Sequence, residues 1–329
     1  MTEGQNYAAI DIGTNAARLL IKNIDHNPLG ETTFRKVLFI RYPLRLGLDV
    51  FTKGKIGKER ADMMMRMIKG FKAMMRLYDV VDFRACATSA MRDAKNGKEL
   101  IKKIEKKTGV HIDIIDGKEE AGILYSNHIE KVPDKEGTYM YVDVGGGSTE
   151  ITLIHKGNLV GSMSYNVGTI RWLNRAVKEG IIDGLKADMA GMHANYGPIN
   201  IIGSGGNINK LFRLAEEKNK KELKMPVSSL KVLHKELSPL SVDERMNRFG
   251  LKPDRADVIV PAAEIFLIVA ECVHAEYIYV PTIGLADGII DSLYSADERK
   301  RRERIKKNKM LLSAESQGLI NAETVEVDN

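Results

Sequence analysis

Two segments of this chain share one pattern and lie far apart along it. Residues 9–15 read AIDIGTN and residues 141–150 read YVDVGGGSTE, so each is an apolar strand that ends in an aspartate and leads into a glycine turn with polar side chains. A third glycine turn, IIGSGGN, follows another short apolar run at residues 201–207. This repetition predicts a duplicated architecture with a glycine turn in each half.

The chemistry of these turns suits phosphate. Because glycine has no Cβ, successive backbone N–H groups can converge on an anion, and such arrangements bind phosphate oxygens well. A glycine pair also serves as an ordinary hairpin connector, which is the simpler interpretation of any single turn. The repetition favours phosphate binding, and the candidate residues are Asp11, Gly13, Thr14, Asn15, Gly145, Gly146, Gly147, Ser148, Gly205 and Gly206.

Five further blocks occur between and after the turns. They are ATSAMR at residues 87–92, GKEEA at 117–121, VGTIR at 167–171, PDRAD at 253–257 and GLADG at 284–288. With the glycine turns, they make the chain resemble the exopolyphosphatase and guanosine pentaphosphate phosphohydrolase (Ppx/GppA) family of the actin/Hsp70/sugar-kinase superfamily. The resemblance covers about residues 7 to 295.

The resemblance implies an α/β fold of two duplicated ribonuclease H-like (actin-like ATPase) domains with a cleft between them. A length of 329 residues agrees, since single cores seldom grow to that size. We expect an N-terminal actin-like domain over residues 1–128, a C-terminal actin-like domain over 129–296, and a basic terminal helix and tail over 297–329.

The same resemblance implies roles for side chains outside the turns. It makes Glu120 the general base that activates water, Asp143 and Glu150 the ligands of Mg²⁺ or another divalent cation, and Arg92 and Arg171 phosphate ligands. Glu150 is thereby also a catalytic residue. Without the resemblance, adjacent glutamates in a first helical turn are surface residues that favour the helix dipole, and Arg92 is a capping or surface arginine.

Three positions depart from the family pattern. Thr14 replaces the more usual serine but keeps its hydroxyl, whereas Ala16 removes a hydroxyl, and Asn207 stands where threonine is frequent. Contacts made by the second and third of these side chains are therefore in question.

Local patterns add three expectations. Residues 35–46 are predicted to form a third strand, and a helix is predicted to open at Ser89 and run toward Lys107. Arg255 and Asp257, at the start of a long apolar segment, are predicted to form an internal ion pair.

Charge and composition exclude several classes of function. The net charge is +6, and residues 297–309 alone supply eight basic against three acidic side chains, so the basicity belongs to one C-terminal stretch. That stretch is either a solvated helix face or a surface that attracts polyanions. No zinc-finger, zipper or RNA-binding pattern accompanies it, so we expect no specific nucleic-acid partner.

Two cysteines cannot form a disulfide framework, and with no signal peptide a cytoplasmic location is expected. The most apolar segment, residues 258–273, is shorter than a membrane span and contains acidic residues, so it is predicted to be a core helix without a membrane role. The seven histidines form neither an HExxH motif nor a His-Asp pair, which argues against a zinc-protease site and for the short form of the family without an HD domain.

These features predict an exopolyphosphatase, a hydrolase of acid anhydrides that acts on the terminal phosphoanhydride bonds of inorganic polyphosphate. Three alternatives remain. One is guanosine pentaphosphate hydrolysis by the same chemistry, the second is an actin-like kinase, and the third is a non-catalytic sensor of polyphosphate or alarmones. A homodimer is also considered, because family members often dimerise.

Overall fold

The computed structural model describes residues 4–27, 29, 31–128, 134, 136–300 and 303. The first half contains β1 (Gln5–Ile12), β2 (Ala17–His26), β3 (Thr32–Tyr42), α1 (Leu46–Lys53), α2 (Lys58–Leu77), β4 (Val80–Ala87), α3 (Ser89–Asp93), α4 (Gly97–Thr108), β5 (Asp113–Ile114) and α5 (Gly117–His128). Its described strands form one sheet in the order β3-β2-β1-β4-β5.

The second half contains β6 (Thr138–Val144), β7 (Thr149–His155), β8 (Asn158–Tyr165), α6 (Thr169–Leu173), α7 (Ile181–Tyr196), β9 (Asn200–Ser204), α8 (Gly206–Leu214), β10 (Lys224–Pro226), α9 (Val227–Leu237), α10 (Val242–Phe249), α11 (Pro253–Ala256), α12 (Ile259–Cys272) and β11 (Tyr277–Tyr279). A final helix, α13, covers residues 285–300. The second sheet has the order β10-β11-β9-β6-β7-β8.

Both sheets are built on the same plan. In each, three consecutive strands pair antiparallel, and the first of them also pairs in parallel with a strand that returns after a helical connection. The duplicated α/β architecture that the sequence predicts is therefore confirmed. In parallel pairs the strand ends meet at one edge of the sheet, so the turns after β1, β6 and β9 lie at corresponding edges.

Apolar side chains form a separate core in each half. In the second half, nine of the 14 residues of α12 are buried, and Phe266 lies in a cluster with residues of β6, β7 and β9. The prediction of a core helix at this segment is confirmed. Within the part of the chain that the structure describes, none of the helices has the length and apolar character needed to cross a bilayer.

One helix crosses the boundary expected from the sequence. Although α13 follows the second sheet, its residues Leu285, Ile289 and Ile290 are buried with Tyr7 and Leu20 of the first sheet. The hydroxyl of Tyr7 donates a hydrogen bond of 2.7 Å to Asp297 Oδ2 in the same helix. The apolar core of the first half therefore includes residues of α13.

Two local expectations were wrong. Strand β3 ends at Tyr42, because Pro43 has no N–H for pairing and Arg45 adopts a left-handed backbone with φ of 53°. The predicted helix from Ser89 to Lys107 is broken at Asp93. The new helix starts at Gly97, where a Cβ would lie 2.3 Å from the carbonyl oxygen of Met91.

The predicted basic tail lies mostly outside the described residues. Of the stretch 297–329, the structure describes residues 297–300 and 303, all helical. Whether this stretch attracts polyanions therefore stays a prediction.

Candidate functional site

A cavity of about 420 Å³ lies between the two halves, and all three glycine turns border it. Most of the predicted site residues line it: Asp11, Gly13, Thr14, Asn15, Glu120, Asp143, Gly145, Gly146, Gly147, Ser148, Gly205 and Gly206. A larger and more open depression beside Lys218 and Tyr277 contains none of them. The structure thus gathers the polar turns of both halves around one space.

The two duplicated turns have the same backbone geometry. The N–H of Gly13 donates to the carbonyl of Ala16 at 3.1 Å, and the N–H of Gly145 donates to the carbonyl of Ser148 at 3.0 Å. Each bond closes a four-residue turn that begins two residues after the strand aspartate. The two turns are therefore alike in backbone hydrogen bonding as well as in sequence.

The turns of the two halves approach each other so closely that side chains would not fit. A Cβ on Gly147 would lie 2.2 Å from the Ser89 hydroxyl oxygen, and one on Gly146 would lie 2.8 Å from Thr14 Cβ. The Thr14 hydroxyl accepts a hydrogen bond of 3.2 Å from the Ala90 N–H. Glycine is therefore required for contact between the halves as well as for exposure of the backbone to an anion.

Strand register brings the predicted metal ligands together. Asp143 on β6 is paired directly with Glu150 on β7, and opposed residues of an antiparallel pair have Cβ atoms about 4.5–5.5 Å apart. Both side chains are buried or nearly so. Parallel pairing also sets Asp143 beside Ser204, the last residue of β9.

Helix α5 brings the third carboxylate to the same place. Its apolar residues Ile123 and Leu124 belong to the core of the first half, whereas its body contacts β7 and β8 of the second. Glu120 lies in the first turn, is 7% exposed and lines the cavity. Its Oε2 atom is buried and accepts no hydrogen bond from the described residues.

These carboxylates raise one another's pKa values. Burial is the main reason that the pKa of Glu120 lies well above its ordinary value, and the nearby charges of Glu150, Asp143 and Asp11 add to it. Burial likewise raises the pKa of Glu150, and it raises that of Asp143 to about 6. Buried like charges are stabilised by a cation, so this cluster suits a metal ion.

The donor set also indicates which metal would fit. Among the residues that the structure describes, no three His, Cys, Asp or Glu side chains are arranged to enclose a metal. Mg²⁺ keeps several waters and needs only one or two protein carboxylates together with phosphate oxygens. Asp143 and Glu150 therefore fit Mg²⁺ better than a metal that needs a full set of protein ligands.

Three predicted residues do not line the cavity: Glu150, Arg92 and Arg171. Arg92 donates a hydrogen bond of 2.8 Å to the carbonyl of Ile115, and its charge lowers the pKa values of both glutamates. Arg171 donates to the Gly147 carbonyl at 2.8 Å and pairs with Asp93 at 2.6 Å. Arg171 therefore holds the turn at Gly147 through its carbonyl oxygen and links the second half to Asp93 of the first.

The cavity has cationic residues that sequence reasoning did not select. Arg18, Lys36, Arg41, Arg213 and Arg255 line it, and they come from both halves. Burial is the first cause that lowers the pKa of Arg255 to about 10, and the charges of Arg41 and Arg18 are the next. Arg18, Lys36 and Arg41 form ion pairs with Asp11, Asp287 and Asp254, whereas Arg255 has no ion pair among the described residues and is the cation that most favours an anionic ligand. Only Arg255 lay in a recognised block, and no local signal distinguishes the others from surface residues.

The expected ion pair between Arg255 and Asp257 is absent from the described contacts and was wrong. Arg255 Nη1 donates to Asn207 Oδ1 at 2.9 Å, whereas Asp257 pairs with Arg45 of the first half. Asn207, one of the departures from the family pattern, thus holds a cavity arginine. Ala16, another departure, is buried beside the cavity and contributes its carbonyl to the first turn.

Two halves built on the same plan, a glycine turn at the corresponding edge of each sheet, and a cleft lined by acidic and basic side chains define a duplicated α/β protein whose cleft suits a phosphate-bearing ligand. The chain belongs to the Ppx/GppA phosphatase family, whose model matches residues 29–296. The predicted family and fold are both confirmed.

Solved structures show the same fold. An exopolyphosphatase from Cytophaga hutchinsonii superposes with a TM-score of 0.77 at 24% identity, over 89% of this chain and 98% of that one. The Aquifex aeolicus member of the Ppx/GppA family superposes with a TM-score of 0.69 at 23% identity, with the same two coverages.

Curated relatives carry different names. A putative exopolyphosphatase of Haemophilus influenzae is 23% identical over 88% of this chain and 91% of its own length. A guanosine-5'-triphosphate,3'-diphosphate pyrophosphatase of Aeromonas salmonicida is 22% identical over 90% of this chain, but the match spans only 61% of that protein. A bifunctional 3-dehydroquinate synthase/phosphatase of Fusobacterium nucleatum is 34% identical over half of this chain and a quarter of its own length.

Proposed function

We propose that this protein hydrolyses the terminal phosphoanhydride bond of inorganic polyphosphate. The observation that carries the proposal is the buried carboxylate of Glu120, which lines a cavity bordered by three glycine turns and lies near Asp143 and Glu150. The name of the Haemophilus relative, which the match covers almost completely, supports polyphosphate as the substrate.

The backbone and the cations hold the substrate. Phosphoryl transfer depends mainly on positioning and on neutralising charge, and needs little covalent help from the protein. The N–H groups that follow Gly13 and Gly145 in the two turns bind the phosphate under attack, because those of Gly13 and Gly145 themselves donate to carbonyls within the turns. The N-terminus of α8, which begins at Gly206, adds favourable partial charge. Arg255, which has no ion pair among the described residues, holds the phosphates that follow in the chain, which suits a substrate with several negative charges.

Asp143 and Glu150 hold the divalent cation, which we take to be Mg²⁺. When bound, it would neutralise charge on the phosphate oxygens. The geometry that supports this assignment is their direct pairing across β6 and β7 and the raised pKa of each carboxyl group. A divalent cation would offset the repulsion between these two buried carboxylates.

Glu120 positions the attacking water and removes its proton. Its Oε2 atom has no protein donor among the described residues, so this oxygen is available to accept a hydrogen bond from water. A general base works best when its pKa is close to the working pH, and burial among carboxylates raises the pKa of Glu120 in that direction. Arg92 opposes that shift and so limits it.

Guanosine pentaphosphate is the second candidate substrate, because the Aeromonas relative is named for such a reaction. A 5'-triphosphate presents the same terminal phosphate to the same groups. The sensor hypothesis is less favoured, since Glu120 and Glu150 both retain the chemistry that hydrolysis requires. A cytoplasmic location and a homodimer stay predictions from the sequence.

The decisive experiment measures phosphate release from long-chain polyphosphate and from guanosine pentaphosphate with Mg²⁺. We expect faster release from polyphosphate and at least a 10²-fold loss in Glu120→Gln. Glu119→Gln is the matched control, because Glu119 is the neighbouring residue but is exposed and pairs with Arg84 at 2.7 Å. Preference for guanosine pentaphosphate would move the assignment to the second candidate, and binding without release from either would support a sensor.

A further inference from the structure

The carboxylate of Glu150 is held by a serine of the neighbouring strand. Register pairs Glu150 of β7 with Ser164 of β8, and the Ser164 hydroxyl donates a hydrogen bond of 3.0 Å to Glu150 Oε1. Glu150 is 3% exposed, whereas Ser164 lies on the outermost described strand of the sheet and is exposed. A buried carboxylate is therefore hydrogen-bonded to the hydroxyl of an exposed serine that is not part of the apolar core.

The same serine contacts the helix that carries Glu120. A Cβ on Gly117, the first residue of α5, would lie 2.4 Å from Ser164 Cβ and 2.5 Å from its hydroxyl oxygen. Only a glycine lets the first turn of α5 approach β8 this closely. Because Glu120 lies in that same turn, its position depends on this contact.

We propose that Ser164 is a positioning residue that orients the Glu150 carboxylate for the cation and seats the first turn of α5 against β8. The terminal torsion of a glutamate is broad, so the plane of its carboxylate is set by its hydrogen bonds. Because Oε1 of Glu150 is held by Ser164, the direction of its Oε2 atom is restricted as well. This inference rests on the proposed function, since it assigns Glu150 to the cation.

Hydrogen-bond partners of metal ligands typically matter for affinity, and their loss weakens metal binding by about 10–100-fold. Loss of the Ser164 hydroxyl should affect two carboxylates, because Ser164 bonds to Glu150 directly and contacts α5, the helix that carries Glu120. Removing the hydroxyl should therefore weaken cation binding and also lower the maximal rate.

The chain offers a matched control two residues away. Ser162 lies on the same strand and the same face as Ser164, and its hydroxyl forms a hydrogen bond of 2.8 Å with Thr152 of β7. Both serines thus bond across the same strand pair, but only Ser164 bonds to a carboxylate. Any general effect of removing a cross-strand hydroxyl will appear in Ser162→Ala as well.

The experiment compares wild type, Ser164→Ala and Ser162→Ala. Calorimetry gives the Kd for Mg²⁺ without substrate, and phosphate release gives kcat and KM. We expect Ser164→Ala to raise the Kd for Mg²⁺ about 10-fold or more and to lower kcat, and Ser162→Ala to resemble wild type.

Equal Mg²⁺ affinity and kcat in Ser164→Ala and Ser162→Ala would overturn the role of Ser164 and leave the proposed function intact. Wild-type protein that releases no phosphate would overturn the proposed function, while calorimetry would still test whether Ser164 supports a cation site.

Discussion

Arg18 occupies in the first half the position that Glu150 occupies in the second. Each is the residue directly opposite the aspartate that precedes a glycine turn, since β1 and β2 pair Asp11 with Arg18 and β6 and β7 pair Asp143 with Glu150. Arg18 forms an ion pair of 2.5 Å with Asp11. Asp11 is thus paired with an arginine, whereas neither Asp143 nor Glu150 has an ion-pair partner among the residues that the structure describes. This difference supports the proposed cation site in the second half.

Removing the charge of Arg18 should destabilise the protein. Arg18→Gln leaves Asp11, which is 3% exposed, without its partner, and we expect a loss of about 1–3 kcal/mol in the free energy of unfolding. Denaturant unfolding measures this. The double variant with Asp11→Asn should recover most of the loss, because no unpaired charge remains. If both variants were equally unstable, the ion pair would not be the cause.

Asp143 should make the metal-free protein less stable as pH rises. Burial raises its pKa from 3.8 to about 6, so between these values the folded protein keeps a proton that the unfolded chain has released. The contribution is present below that range and is lost as pH rises through it, by roughly 1–3 kcal/mol in total. Unfolding in EDTA at pH 5 and pH 7.5 tests this. Asp143→Asn should reduce the difference between the two pH values, and an unchanged difference would exclude Asp143 as its source.

A side chain at Gly147 should separate the two halves. Its Cβ would lie 2.2 Å from Ser89 Oγ and 2.6 Å from Phe51 Cζ. We expect Gly147→Ala to cost about 1–3 kcal/mol of stability and to lower kcat/KM for phosphate release by at least 10-fold. Gly161→Ala on β8 is the control, because no heavy atom of the described residues lies within 4 Å of its added Cβ. Similar losses in both variants would contradict a specific role for the turn.

Phe39 should distinguish the two candidate substrates. It lines the cavity on β3 and is 55% exposed, so it offers a flat apolar face beside Lys36 and Arg41. A base stacked on an aromatic ring gains about 1–3 kcal/mol, whereas inorganic polyphosphate has no ring to stack. We expect Phe39→Ala to lower kcat/KM for guanosine pentaphosphate about 10-fold and to leave polyphosphate unaffected.

Steady-state kinetics on both substrates check this prediction. Val37→Ala serves as the control, since Val37 is an exposed residue of the same strand outside the cavity lining. Equal losses on both substrates would indicate that Phe39 supports the wall of the cavity without contacting a base.

Much of the site could be predicted because its parts are local in sequence. A strand, its terminal aspartate and the following glycine turn are contiguous, so Asp11, Gly13, Asp143 and Gly145 could be recognised from composition and order alone. Glu120 was recognisable only through its block, since the local signal of two glutamates in a first turn is also that of a surface helix.

Other parts of the site have no local signal. Arg41 and Arg213 lie far apart in sequence and reach one cavity through the packing of the two halves. The bond from Ser164 to Glu150 depends on strand register, and the contact of Gly117 with Ser164 depends on how α5 packs against the second sheet. The partner of Asp257 was mispredicted for the same reason, because the residue that pairs with it belongs to the other half.

The sequence by itself therefore determined the repeat, the fold family and the chemistry of the turns, because backbone conformation at a strand end depends on neighbouring residues. The tertiary structure alone decided the distribution of charge across the cleft and the packing of α13 on the first sheet. Electrostatic and packing energies depend on distance in space, so they are set only when segments remote in sequence have been brought together.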